Sequence, residues 1–175
     1  MTSVTDTGFA EMRLGKVVGL AAEDDLSCCV VLDGVTEDRH LPIEIGQTEA
    51  FQLSATLTGE EFARPMSSQF AAGLLHALGG RVRQVRIDRL VPVMGGTAYG
   101  ATVEVESASG VRLVDARPSD ALNLVALAPA PIFAAQEVLA DAEARQEGDS
   151  PEATLLRRAL EGEQMTVGRR ELPGR

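Results

Sequence analysis

The middle of the chain places strands directly one after another, separated by glycine turns. Residues 81–91 are rich in Val, Ile and Arg, Gly95-Gly96 marks a turn, and residues 97–106 alternate between apolar and polar side chains. Such alternation is typical of an antiparallel strand with one face in solvent. Because consecutive hairpins do not build a βαβ sheet, we predict an α+β fold with a mixed or mainly antiparallel sheet and flanking helices.

The flanking segments supply further strands and the helices. Residues 27–32, SCCVVL, are a continuous apolar run that predicts a strand buried on both faces. Pro42 places the strand over 41–45 at a sheet edge or at its own start. Helical periodicity predicts helices at about 46–57, 67–78, 119–127 and 134–145, with another from Ser150. The predicted N-cap is Ser67 or Ser68 for the second of these helices, Ser119 for the third and Ser150 for the last.

The length of 175 residues fits one domain with a proper core. We predict a disordered N-terminus over 1–10, a compact domain over 11–145, and a C-terminal helix and flexible tail over 146–175. The last helix has an apolar face that must pack on the domain or on a second copy, formed by Leu155, Leu156 and Leu160.

Charge and cysteine content limit partners and compartment. The formal net charge of −10 disfavours strong sequence-independent binding to DNA, which a basic surface normally supplies. The sequence shows no leader and no apolar run long enough to span a membrane, so we expect a cytoplasmic protein without a membrane partner. Cys28 and Cys29 are neighbours that should point to opposite faces of a strand, as two reduced thiols.

The chemistry is best placed where a strand over 111–115 gives way to a helix. Asp115 and Asp120 can reach one rim there and hold Mg²⁺ or Mn²⁺ through their oxygens. Arg117 can clamp a phosphate with its planar fork, and Ser119 can bind substrate at the helix start. A purely structural interpretation stays open, because Ser119 and Asp120 also suit any helix N-terminus and Arg117 can pair with either aspartate.

Other charged residues are secondary candidates. Glu44 and Glu49 flank a strand–helix junction and are further potential metal ligands, or else an exposed strand residue and a dipole-compensating glutamate. Arg64 is a candidate phosphate contact that can equally pair with a nearby glutamate. Arg86 belongs to a cluster that regular strand alternation splits between two faces, and this cluster either binds phosphate or protects an edge strand, with Arg81, Arg83 and Arg89 on the other face.

Two stretches of the chain resemble the bifunctional nuclease domain family. They are LPIEIGQTEAFQLSATLTGEEFARPMSSQF over 41–70 and VDARPSDALNLVALAPAPIFAAQEVL over 114–139, and the resemblance extends over about 13–140. It implies a compact α+β domain that acts on DNA and RNA and associates as a homo-oligomer.

One departure from the family's pattern concerns the chemistry. The family usually has Thr-His-Asp after the Arg-Pro pair, whereas this chain has Ser67-Ser68-Gln69 after Met66. The leading hypothesis is a metal-assisted nuclease that uses Asp115, Asp120 and Arg117. The alternatives are a binding or regulatory module that has lost the chemistry, and a structural oligomerisation domain.

Overall fold

The fold is a seven-stranded mixed sheet with helices on it, described in a computed structural model for residues 8–22, 25–148 and 151–161. The strands are β1 (Phe9–Ala22), β2 (Asp25–Gly34), β3 (His40–Ile45), β4 (Arg81–Val93), β5 (Gly96–Ser107), β6 (Gly110–Ala116) and β7 (Ile132–Ala135). The helices are α1 (Gln47–Thr58), α2 (Ser67–Ala77), α3 (Pro118–Leu127), α4 (Gln136–Gln146) and α5 (Pro151–Glu161).

The sheet consists of two antiparallel meanders joined by one short strand. The strand order is β3-β2-β1-β7-β4-β5-β6, so the first and second groups of three strands lie on either side of β7. The four-residue β7 pairs antiparallel with β1 and parallel with β4. The predicted mixed α+β fold is confirmed, and β3 with its Pro42 is an edge strand as expected.

Hydrophobic side chains fill both sides of β2, as its apolar run predicts. Cys28 contributes to the larger core between the sheet and helices α1, α3 and α4. Cys29 points to the opposite face and packs with Val18, Val31 and the partly buried Leu160 of α5. Burial raises the pKa of the Cys29 thiol to about 12, and burial and the nearby Glu44 also raise that of Cys28.

Helices α1 and α3 are anchored in the core, whereas α2 lies at the surface. Leu53 of α1 and Leu122 of α3 are fully buried. Within the described residues, no side chain of α2 is buried. Its stripe of three large apolar side chains is therefore exposed to solvent, by 64% at Phe70, 50% at Leu74 and 74% at Leu78.

The N-terminal boundary of the folded domain differs from the sequence prediction. Phe9 and Ala10, assigned to a disordered N-terminus, begin β1 and pair with β7. Residues 1–7 and 162–175 of the predicted N-terminus and tail, the Ser150 cap, and the side chains of Leu155 and Leu156 lie outside the described part of the chain. Among the described residues, no helix is long and apolar enough to cross a lipid bilayer.

Candidate functional site

The site is built at the junction between β6 and α3, where the chain turns from the sheet edge into a helix. Arg117 is the N-cap residue of α3 in an extended conformation, and Pro118 takes the first helical position. Proline suits that position, because its fixed φ matches the helix and its missing N–H would be unpaired there anyway. The predicted cap at Ser119 is therefore wrong: Ser119 lies one residue inside the helix and is only 7% exposed.

Arg117 holds two carboxylates from different helices. Its Nε and Nη2 donate to the two oxygens of Asp120 at 2.8 and 3.0 Å, and Nη2 also donates to Oε1 of Glu49 at 3.0 Å. The hydrogen bonds and the charge of Asp120, and to a lesser extent those of Glu49, raise the pKa of the Arg117 guanidinium above its ordinary value. Arg117 thus ties α1 to α3 and stays cationic at any accessible pH.

Asp115 is bound by a different arginine. It lies on β6 and accepts a hydrogen bond from Nη2 of Arg89, while the side chain remains 85% exposed. Asp115 and Asp120 therefore line one rim, as predicted, but each carboxylate has its own guanidinium partner.

A β-bulge explains why Arg89 reaches this rim. The pairing of β4 with β5 shifts between Ile87 and Arg89, so that Arg89 lies opposite Gly100. The extra residue reverses the alternation of side chains along the strand. The prediction that Arg89 and Arg86 face opposite sides was wrong, because both line the same groove.

Gly100 provides the surface over which the Arg89 side chain lies. A Cβ added at Gly100 would be 2.7 Å from Nε and 2.8 Å from Cγ of Arg89, much closer than real contacts allow. From this position, Arg89 donates to Oγ1 of Thr102 at 3.1 Å and to the carbonyl of Ala101 at 3.2 Å. Glycine at this position therefore lets the guanidinium lie flat against β5.

These residues surround an open groove of 1120 Å³, which we call the arginine groove. Its charged lining side chains are Arg86, Asp88, Arg89, Asp115, Arg117 and Asp120. The Arg86 guanidinium lies 5.9 Å from the Phe9 ring centroid. The Nε of Arg86 is buried and has no hydrogen-bond partner among the described residues.

The remaining predicted residues do not share one site with Asp115 and Asp120. Glu44 lines a neighbouring cavity of 470 Å³ together with Ser119 and Arg117. Glu49 folds back over Gly46, where a Cβ would collide with its carboxylate. Arg64 is exposed, and no ion pair joins it to another described residue, so it is paired with neither Glu60 nor Glu61, the two glutamates nearest to it in sequence.

The chain has serine at the position where the family's pattern has histidine, and the structure shows what Ser68 does. The hydroxyl of Ser68 donates to Oε1 of Gln52 at 2.9 Å, which links α2 to α1. The predicted serine cap of α2 is wrong, because Met66 is the N-cap residue and its N–H donates to Gln69 at 2.8 Å. Ser68 is therefore a helix-to-helix contact and not a cap.

The donor set does not fit a divalent cation as arranged. Over the described residues, no group of three or more His, Cys, Asp or Glu side chains is placed to hold a metal ion. Three of the four predicted ligands, Asp115, Asp120 and Glu49, are paired with arginine, and a guanidinium repels a metal ion. Binding of Mg²⁺ or Mn²⁺ stays a prediction, and the present geometry offers it no support.

Sequence reasoning missed a second polar group beside the groove. The Tyr99 hydroxyl donates to Asp141 of α4 at 3.0 Å, and the Arg145 guanidinium lies 5.0 Å from the Tyr99 ring centroid. It also missed two buried amides, Gln52 and Asn123, which lie between α1 and α3. Because Asn123 follows Ser119 by four residues, helical spacing predicts that both lie on the same face of α3.

Comparison with known proteins places the chain in a family. A family model described as the bifunctional nuclease domain matches residues 30–147. This range includes all the residues that line the arginine groove. The chain is also 34% identical over 128 residues to the uncharacterized protein Rv1829 of Mycobacterium tuberculosis strain H37Rv, covering 73% of this chain and 74% of that one. The uncharacterized protein MT1877 of strain CDC 1551 matches equally. The chain belongs to the bifunctional nuclease domain family.

Proposed function

We propose that this chain is a nuclease that binds the backbone of DNA or RNA in the arginine groove and hydrolyses its phosphodiester bonds. Three guanidinium groups on one groove of an otherwise acidic protein carry the proposal. Arginine matches the geometry of phosphate oxygens with two parallel hydrogen bonds. The groove also holds Asp88, Asp115 and Asp120, so its formal charge is balanced, and a phosphate binds there by taking the place of a carboxylate on an arginine.

The arginine–carboxylate pairs in the groove can exchange partners. Side chains of Arg117 and Asp120 are 66% and 52% exposed, and exposed ion pairs contribute only about 0–1 kcal/mol. An arriving phosphate can therefore replace Asp120 on Arg117. The released carboxylate then lies beside the phosphate, where it can accept the proton of the attacking water. As the new bond from water to phosphorus forms, the bond from phosphorus to one sugar oxygen breaks, and that oxygen takes a proton from the solvent.

A second candidate function is binding without cleavage. It is supported by Asp115 and Asp120 each being paired with an arginine, and by Ser68, in place of the family's histidine, being bonded to Gln52. A module of this kind would hold nucleic acid through the same arginines and leave it intact. Both candidates therefore depend on the groove and differ only in the chemical step.

One experiment separates the two functions. Purified protein is incubated with labelled single-stranded DNA, double-stranded DNA and RNA, in Mg²⁺, in Mn²⁺ and in EDTA, and both binding and cleavage are measured. Arg117→Ala is the test variant. Arg112→Ala is the matched control, because Arg112 lies on β6, does not line the groove and donates to the Val111 carbonyl.

Each outcome has a defined meaning. Cleavage that is abolished in Arg117→Ala and retained in Arg112→Ala supports the nuclease. Loss of cleavage in EDTA shows that the reaction requires a divalent metal ion. Binding without cleavage by the wild type supports the second candidate. If the wild type neither binds nor cleaves any of the three substrates, both proposals are wrong.

We further propose that the chain forms a homo-oligomer through α2. The support is the exposed stripe of Phe70, Leu74 and Leu78, since apolar patches on a monomer commonly mark association sites. Light scattering tests this proposal: Leu74→Glu should lower the oligomer number, and a monomeric wild type contradicts it. A cytoplasmic location is proposed on the two buried, free cysteines, which suit a reducing compartment.

A further inference from the structure

A second pocket lies on the other side of Arg117 from the arginine groove. It has a volume of 480 Å³ and is bounded by α1, α2, α3 and the outer strands β5 and β6. We call it the amide pocket, because Gln52 of α1 and Asn123 of α3 are its buried polar residues. Its walls are mainly apolar, and they include Leu75, Val103 and Leu124.

The two buried amides each have an unused hydrogen-bonding atom, and the orientation of both amides is determined. Oε1 of Gln52 accepts from the N–H and the hydroxyl of Ser68, so its nitrogen is the other atom, and it makes no hydrogen bond to a described residue. The nitrogen of Asn123 donates to the carbonyls of Glu49 and Ser119. Its Oδ1 is buried and has no partner among the described residues.

Gln52 and Asn123, which line the pocket, thus hold one unused donor and one unused acceptor beside its apolar walls. A ligand that satisfies both must present an acceptor and a donor on one flat edge, and must be apolar on its faces. The Watson–Crick edge of every nucleobase has this combination, and its faces stack on apolar side chains. Neither a phosphate nor an acyl chain has both features.

Arg117 connects this pocket to the arginine groove. The same side chain lines both cavities, together with Asp120 and Ala116. A backbone phosphate bound to Arg117 would hold its nucleotide at the mouth of the amide pocket.

We propose that the amide pocket binds one unpaired nucleobase of a strand whose phosphate lies on Arg117. This inference rests on the proposed binding of nucleic acid in the arginine groove, and it adds the class of substrate. A base in a duplex has its Watson–Crick edge occupied, so only a single-stranded or flipped-out nucleotide can enter. The preferred substrate is accordingly single-stranded DNA or RNA.

The test compares two oligonucleotides that differ only in their bases. One is a short labelled single strand, and the other is the same sugar–phosphate strand with abasic positions throughout. We expect the wild type to bind the first at least about tenfold more tightly, because each stacked base contributes substantially to affinity. The variant Ala71→Phe, which fills the pocket from α2, should reduce that preference and leave abasic binding unchanged.

Ala77→Phe is the matched control, since Ala77 is an exposed alanine of the same helix that does not line the pocket. It should keep the preference for bases. Equal binding of both strands by the wild type overturns this inference but not the proposed binding in the arginine groove. The same conclusion follows if the Ala71→Phe variant is folded, as judged by circular dichroism, and still prefers the strand with bases. If the wild type binds neither strand, the proposed function fails together with it.

Discussion

The side chain of Arg89 crosses directly over Gly100, so that a group of the second meander is aimed at the rim formed by Asp115 and Arg117. Two local features produce this relationship. The bulge after Ile87 turns Arg89 to the groove side, and the absence of a Cβ at Gly100 lets it lie against β5. A bulge and a glycine, which carry no charge themselves, thus position one of the three arginines of the groove.

The first prediction concerns that contact. Gly100→Ala should displace Arg89 from Thr102 and Ala101 and thereby remove one phosphate contact. We expect the dependence of single-strand binding on salt to become shallower by about 0.7 units in a plot of log K against log salt concentration. Gly73→Ala is the control, because a Cβ at Gly73 meets nothing within 4 Å. An unchanged slope in Gly100→Ala would mean that Arg89 does not contact nucleic acid.

The second prediction separates the charge of Arg117 from its shape. Arg117→Lys keeps the positive charge but loses the planar fork that binds Asp120 with two nitrogens. Affinity for single-stranded DNA should fall about tenfold, while the free energy of unfolding in urea should change by less than about 1 kcal/mol because the pairs are exposed. A lysine variant that binds as well as the wild type would show that only charge matters at this position.

The third prediction follows from the buried Cys29 thiol. Its pKa is raised to about 12, against an ordinary value of 9.0, so the folded state binds this proton more tightly than the unfolded state. The resulting stability is complete below pH 9 and is lost as the pH rises towards 12, by at most about 1.4 kcal/mol per pH unit. Cys29→Val should show a smaller loss of unfolding free energy over that window, measured by urea titration. Identical slopes for the two proteins would contradict the assignment.

The fourth prediction tests how α3 is held in place. Leu122 is fully buried in the core, and Leu122→Ala should lower the free energy of unfolding by about 2–5 kcal/mol through lost burial and a cavity. Leu57→Ala removes the same atoms from a side chain of α1 that is 47% exposed, so its cost should stay below about 1 kcal/mol. Comparable losses in the two variants would show that Leu122 does not anchor α3.

The strands and helices could largely be predicted because their signals are local. The apolar run of β2 led to a strand buried on both faces, and Pro42 led to an edge strand, and both hold. The exposure of α2 could not be predicted from the sequence. A regular apolar stripe such as Phe70, Leu74 and Leu78 does not indicate whether another part of the protein covers it. The role of β7 was not readable either, since Ile132–Ala135 is too short for its partners to be evident from the sequence.

The pairing of Arg117 with Asp120 was one of the alternatives that the sequence offered, whereas the pairing of Asp115 with Arg89 was not. Asp115, Arg117 and Asp120 line the same groove, because a strand end and a helix start adjoin there. Strict alternation placed Arg89 on the wrong face, since a bulge depends on pairing between strands and leaves no mark in one of them. The amides Gln52 and Asn123 carry no motif, and their significance appears only when two helices are packed together.

The bridging position of β7 has a consequence for the order in which the molecule is made. Ile132–Ala135 links the two meanders, although it follows every other strand along the chain. During synthesis each meander can form by itself as it leaves the ribosome, but the two stay separate until this late segment emerges and inserts between β1 and β4. Arg86 pairs with Phe133 of this strand and its guanidinium lies near Phe9 of β1, so the surroundings of Arg86 are complete only once β7 has joined the two meanders.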